Sequence, residues 1–148
     1  MLANRRVTYE EFKKEIPRKY LLGFNSGEDV VLHYREGGYK TALRIENFPW
    51  YMCVTLKDYM DNEKLFVGYR DSGRIKDVEE GKNYVKLFVR NINKKVMDER
   101  HQLMTELTER QITHYEADLS SMQRCLVDHK LRIEDNYRIL YFDIETDD

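Results

Sequence analysis

The sequence has little cysteine and no long apolar run. Its two cysteines, Cys53 and Cys125, lie far apart, so no disulfide framework is predicted and a reduced, cytoplasmic setting is expected. No stretch is apolar enough to span a membrane, and the basic start, residues 1–6, lacks the apolar segment of a signal peptide. We therefore expect no membrane partner.

Several catalytic and metal-binding patterns are also missing. The sequence has no C-x-x-C pair, no metal-ligand spacing among its four histidines, no glycine-rich phosphate loop and no nucleophile elbow. The net charge is only −2, which argues against a dedicated, strongly basic nucleic-acid binder. A local basic strip is still compatible with this charge balance.

The composition is that of a folded, globular protein. Hydrophobic residues make up 41% of the chain and charged residues 35%, and the 11 tyrosines are unusually many. A chain of 148 residues has room for one domain, or for one domain and the start of another.

Residues 1–70 are predicted to be rich in β-structure. A short helix is expected over residues 8–16 with Thr8 as its cap, and Gly37-Gly38 is typical of a tight hairpin turn. Residues 75–83 are charged and predicted to form a loop. Alternating apolar residues predict an antiparallel meander at residues 19–24, 30–35 and 39–45. They predict a later strand at residues 65–70.

The densest aromatic patch, residues 48–54, supports two interpretations. In the first, Trp50 is a core residue and Tyr51 is partly exposed. In the second, both rings stack on the bases of a single strand, and nearby basic side chains contact its backbone. The candidate nucleic-acid-binding residues in the second interpretation are Trp50, Tyr51, Lys82, Lys86 and Arg90.

From residue 84 the pattern changes to strand, helix, strand, helix. Residues 84–90 alternate as a strand, residues 94–109 have helical spacing, and residues 112–115 predict a second strand. Asp118 is placed to cap a second short helix. The order over residues 84–130 is half of a ferredoxin-like or RNA-recognition-type unit, which serves either as a nucleic-acid surface or as a scaffold.

The end of the chain carries a pair of acids after an apolar strand. Residues 137–142 predict a buried strand, and side-chain alternation places Asp143 and Glu145 on the same face. Two carboxylates so placed can hold divalent cations, which activate water and stabilise the leaving oxygen of a phosphodiester. The alternative is that both are solvated acids where a strand frays into a tail.

Two stretches resemble family B DNA polymerases. Residues 142–146, Phe-Asp-Ile-Glu-Thr, are similar to the motif that opens the 3′→5′ exonuclease domain of these enzymes. Upstream, the spacing of Asp118, Arg124, Leu126 and Asp128 is similar to a segment that precedes that domain, most plainly in the archaeal members. The likeness covers roughly residues 112–147. The departures from the usual residues, at Ser120, Ser121 and Cys125, are typical of a divergent member, viral or phage.

The resemblance implies a domain organisation and a chemistry. It implies a polymerase amino-terminal domain over residues 1–130 and the first strand of a ribonuclease H-like exonuclease domain over residues 131–148. The parent enzyme would polymerise deoxynucleotides on a DNA template, contact the template or primer single strand, and proofread by hydrolysis. Asp143 and Glu145 would be its catalytic ligands for two Mg²⁺ ions.

The other exonuclease carboxylates and the polymerase motifs are absent from these 148 residues. We therefore expect this chain to be inactive alone, as a fragment or as one piece of a split enzyme. The remaining domains would be supplied in cis or by a second chain. Two alternatives stay open: a stand-alone module that binds single-stranded nucleic acid, and a structural or interaction domain whose D-x-E pair is accidental.

Overall fold

The computed structural model describes residues 2–89 and 96–134, and these form a mixed α+β structure with mainly antiparallel sheets. The mixed class predicted from the sequence is thus confirmed. Arg90, Asp143 and Glu145 lie outside the described residues, as does the strand predicted at residues 137–142. The predictions made for them stay predictions.

The first sheet contains four strands in the order β1-β5-β4-β3. These strands and the helix that follows β1 are Leu2–Thr8 (β1), Tyr9–Lys14 (α1), Leu22–Ser26 (β3), Asp29–Glu36 (β4) and Tyr39–Glu46 (β5). The antiparallel meander β3-β4-β5 is confirmed, and so is Thr8 as the cap of α1, where it forms a capping box with Glu11. The glycines of the β4–β5 turn have φ of 56° and 83°, the left-handed region that glycine adopts without strain.

The second sheet contains four antiparallel strands in the order β7-β8-β6-β9. Its elements in chain order are Tyr51–Thr55 (β6), Leu56–Asp61 (α2), Glu63–Asp71 (α3), Ile75–Glu80 (β7), Tyr84–Val89 (β8), Val96–Glu109 (α4) and His114–Tyr115 (β9). Side chains of α3 and α4, among them Phe66 and Leu103, pack with Met52 and Leu87 of the strands to form its core.

The chain returns to the first sheet after β9. The last helix, Ser121–Asp128 (α5), places Met122 and Cys125 in a core with Phe12, Leu32 and Ile45. A final short strand, Arg132–Ile133 (β10), then pairs in parallel with Lys19–Tyr20 (β2). The described chain therefore begins in the first sheet and ends with α5 in the core of that sheet and with β10 in a separate two-stranded sheet, although the second sheet lies between them in sequence.

Three sequence predictions are corrected here. Residues 65–70 are part of helix α3, because Phe66 and Tyr69 are buried at helical spacing while Val67 between them is exposed. Residues 75–80 form β7, an edge strand with exposed charges, a common protection of sheet edges. The strand, helix, strand, helix order predicted over residues 84–130 is confirmed as β8, α4, β9 and α5, but its grouping is corrected: β6 lies between β8 and β9, and α5 packs on the other sheet.

Both cysteines are buried free thiols, and burial raises the pKa of Cys125 to about 12. Among the described residues, no helix combines the length and the apolar character needed to cross a membrane.

Candidate functional site: the Arg124 junction

The segment that carries the upstream likeness, residues 115–128, forms the end of β9, a turn and helix α5. Ser120 caps α5: its Oγ accepts the N–H of Gln123, and the Gln123 side chain accepts the N–H of Ser120. The predicted cap, Asp118, is an exposed turn residue two positions earlier, and this prediction was wrong. Ser120 has the extended backbone of a cap residue, with φ −74° and ψ 166°.

Arg124 connects this segment to the second sheet. Its guanidinium is 1% exposed and donates to the main-chain oxygens of Tyr51 and Glu116, the latter at 2.8 Å. Nη1 lies 3.3 Å from the Glu116 carboxylate, and the guanidinium lies 3.6 Å from the centre of the Tyr51 ring. A buried arginine is rare unless it is paired, and this one is held by hydrogen bonds, a carboxylate and a ring.

Asp128 completes the cluster one helical turn later. The Tyr51 hydroxyl donates to its carboxylate at 3.0 Å. Burial is the main cause that raises the pKa of Tyr51; Arg124 opposes the rise and the hydrogen bond to Asp128 adds to it. The phenol therefore stays a neutral donor. We call Tyr51, Glu116, Arg124 and Asp128 the Arg124 junction.

Neighbouring contacts tie the junction to both cores. The indole N–H of Trp50 donates to the Leu119 carbonyl at 2.7 Å, and the Met122 N–H donates to the Asn25 side chain at 2.8 Å. The Arg100 guanidinium covers the Trp50 ring at 4.4 Å, and burial lowers the pKa of Arg100 to about 10. Residues 115–128 are thus bonded to both sheets, and they fix how one sits on the other.

Four of the predicted nucleic-acid-binding residues, Trp50, Tyr51, Lys82 and Lys86, are described, and they do not form one exposed surface. Trp50 and Tyr51 are 2% and 7% exposed, so neither ring has a free face for a base. Lys86 lies over the Tyr51 ring at 4.8 Å and 3.8 Å from Glu79, while Lys82 is exposed in the turn between β7 and β8. A stacking role for Trp50 and Tyr51 stays a prediction that needs these rings to be uncovered.

The contacts of the junction are suited to positioning the two sheets. Its two carboxylates, Glu116 and Asp128, accept hydrogen bonds from Arg124 and Tyr51. Within residues 2–89 and 96–134 there is no group of three or more histidine, cysteine or acidic residues arranged to hold a metal ion. The predicted metal ligands Asp143 and Glu145 are not among those residues.

The sequence singled out Arg124 and Asp128, and it singled out Tyr51 separately as a base-stacking candidate, but it did not indicate that they contact each other. Tyr51 is 73 positions from Arg124, and no local pattern predicts that pairing. Glu116 was not singled out; it adopts a left-handed backbone with φ 61°, which is uncommon for a residue other than glycine.

Comparison with models of protein families, with curated proteins and with solved structures finds no match to this chain.

The pH dependence of stability is expected to include a contribution from His129, next to the junction. Its Nε2 bonds the Tyr9 hydroxyl at 2.9 Å, and its ring packs against Tyr9, Phe12 and Phe48. Burial lowers the pKa of His129. The unfolded chain then binds the proton more tightly, so stability is complete above the ordinary pKa of about 6.5 and decreases as the pH falls below it.

The measurement is urea unfolding at several pH values for the wild type, His129→Gln and the exposed control His101→Gln. The wild type and the control should lose stability together as the pH falls from about 7 to about 5.5. His129→Gln should lose less. Equal slopes for all three proteins would contradict the assignment.

Proposed function

We propose that this chain is the amino-terminal part of a family B DNA-directed DNA polymerase and leads into its 3′→5′ proofreading exonuclease. The observation that carries the proposal is the place of the matching residues. Arg124 and Asp128 carry the upstream likeness. Arg124 is 1% exposed and connects α5 to the second sheet, and Asp128, although exposed, accepts a hydrogen bond from the buried Tyr51. An accidental match of an arginine would more often fall on a solvated position, because this residue type is mostly exposed.

The architecture supports a scaffold role for the described residues. Residues 51–115 have the element order β-α-β-β-α-β, with α2 and α3 as the first helical region, and the strand order β7-β8-β6-β9. We propose that this is a complete ferredoxin-like unit that begins at β6, earlier than the sequence suggested. A ribonuclease H-like exonuclease domain is proposed to begin after residue 130.

The last described contacts of the chain lie a few residues before the proposed catalytic pair in sequence. The N–H of Glu134 donates to the Tyr20 carbonyl at 2.7 Å, directly after β10 pairs with β2. Asp143 follows nine residues later (143 minus 134). The Arg124 junction and β10 would therefore set where this segment enters the exonuclease domain.

Asp143 and Glu145 offer the hard oxygen ligands that Mg²⁺ prefers. When bound, a pair of such ions supplies an activated water and stabilises the leaving oxygen. This reaction needs further carboxylates to hold both ions, so residues 1–148 alone are expected to lack nuclease and polymerase activity.

The test uses the whole product of the gene, read beyond codon 148. The purified protein should remove nucleotides from the 3′ end of a labelled single strand in a Mg²⁺-dependent reaction. Asp143→Ala and Glu145→Ala should each reduce the rate by more than roughly 100-fold, the loss seen for residues that only support metal ligands. Asp135→Asn is the matched control and should keep the activity.

Two results would overturn the proposal. One is a gene product without further exonuclease carboxylates or polymerase motifs, in an organism that supplies no second chain carrying them. The other is a nuclease activity that survives both alanine substitutions.

A further inference from the structure

The outer face of the first sheet exposes large apolar side chains in the described part of the chain. The register places Leu22 beside His33 and Phe24 beside Val31, with their side chains on the face opposite the core. Helices α1 and α5 cover the inner face, where Phe12 and Met122 join the core. On the outer face, Leu22 is 48% exposed and Phe24 is 44% exposed.

Two rings form a platform on this face. The Phe24 and His33 rings have centroids 6.0 Å apart and lie on the neighbouring strands β3 and β4. The two ring planes are tilted by 52°, and β3 is the edge strand of the sheet. Exposed rings on a sheet are the feature on which unpaired bases stack.

A pair of cations lies on the same face at the hairpin end. Arg35 and Lys40 are directly opposite each other in the β4–β5 register, and both are exposed. Among the described residues neither makes an ion pair. Like charges directly opposite each other destabilise a sheet, so a bound anion would relieve their repulsion.

The other cations of this face are already neutralised. Arg44 bonds Asp29 at 2.9 Å, and Arg6 lies 3.1 Å from Glu46. The unpaired positive charge is therefore concentrated at Arg35 and Lys40, next to the Phe24–His33 platform. Rings beside unpaired cations are complementary to bases joined by phosphates.

We propose that this outer face binds single-stranded nucleic acid, with bases stacked on Phe24 and His33 and phosphates held by Arg35 and Lys40. A single strand fits because its base faces are free, whereas a duplex keeps them inside its own stack. The surface shares no residue with the Arg124 junction or with the pair Asp143 and Glu145. It does not depend on the polymerase proposal, since binding needs no catalytic carboxylate.

The test is fluorescence anisotropy of labelled single strands of DNA and RNA, titrated with the full chain between about 50 mM and about 200 mM salt. Arg35→Gln/Lys40→Gln should weaken binding at low salt and reduce the slope of log K against log salt by about 1.4, because each phosphate contact contributes roughly 0.7. Phe24→Ala should weaken binding about tenfold and leave the slope unchanged.

The control is Lys14→Gln/Lys64→Gln, which removes the same charge from exposed positions away from this face. It should bind like the wild type, and circular dichroism should show that every variant is folded. An equal loss in the control would mean that only net charge matters, and the proposal would fail. Absence of binding at low salt, with self-association that Phe24→Ala abolishes, would instead identify a protein-docking face and also overturn it.

Discussion

Replacing Arg124 with methionine is expected to lower the free energy of unfolding by about 3–5 kcal/mol. Methionine has a similar length and no charge, so it tests the polar contacts more than the volume. Loss of the Arg124 guanidinium leaves the carbonyls of Tyr51 and Glu116 without their donor in a buried site. Each buried, unpartnered polar group costs about 1–3 kcal/mol, and the contact with the Tyr51 ring is lost as well.

The Glu116 carboxylate contributes less to this effect. It is 52% exposed, so solvent screens its attraction to Arg124. Glu116→Gln should therefore be mild, whereas Arg124→Lys should be severe. A lysine keeps the charge but lacks the planar guanidinium, whose N–H donors reach two carbonyls at once.

The measurement is equilibrium unfolding in urea, followed by far-ultraviolet circular dichroism. Arg110→Met is the matched control, since Arg110 is exposed at the end of α4. If Arg124→Met unfolds at the same urea concentration as the control, the junction does not stabilise the contact between the two sheets. The structural support for the proposed function would then be lost.

The correct sequence predictions depend on the periodicity of apolar residues and on the residues at turns and helix caps. Residues 39–45 alternate with a period of two and follow a Gly-Gly turn, and they form β5 of the meander. Thr8 with Glu11 three positions later predicted the start of α1. In each case the residues that determine the element lie within a few positions of one another, so the prediction did not depend on tertiary contacts.

The missed elements depend on distant partners. Strand β1 is polar, with Asn4, Arg5 and Arg6, and it forms only because it pairs in parallel with β5, 38 positions further along (40 minus 2). Strand β7 is a charged edge strand stabilised by β8. No local period marks such strands.

The contacts of the candidate site also depend on residues that are distant in sequence. Arg124 matched a motif, but its burial depends on a carbonyl 73 positions away, and arginine is among the residue types least expected in a core. The sequence therefore indicated which residue mattered without indicating what it contacts.

Trp50 gives the second large expected effect. Replacement by alanine should lower the free energy of unfolding by about 3–5 kcal/mol, as for other buried large aromatic residues. The ring is 2% exposed, packs in the core of the second sheet and carries the Arg100 guanidinium at 4.4 Å. Its N–H bonds the Leu119 carbonyl, which precedes the cap of α5.

Trp50→Phe separates packing from the polar contact. Phenylalanine keeps most of the buried area but leaves the Leu119 carbonyl without its donor, so a smaller loss of about 1–2 kcal/mol is expected. Trp50 is the only tryptophan, which makes its fluorescence a direct reporter of burial. Emission in the native protein should be blue-shifted and resist quenching by iodide, and both properties should disappear on unfolding.

The same variant decides between the two interpretations of the aromatic patch. If Trp50 is a core residue, Trp50→Phe loses stability and keeps its affinity for single-stranded DNA, and DNA does not quench the wild-type fluorescence. If Trp50 stacks on bases, DNA quenches that fluorescence, and the variant loses affinity while it unfolds like the wild type. The covered ring, the bond to Leu119 and the contact with Arg100 all lead us to expect the first outcome.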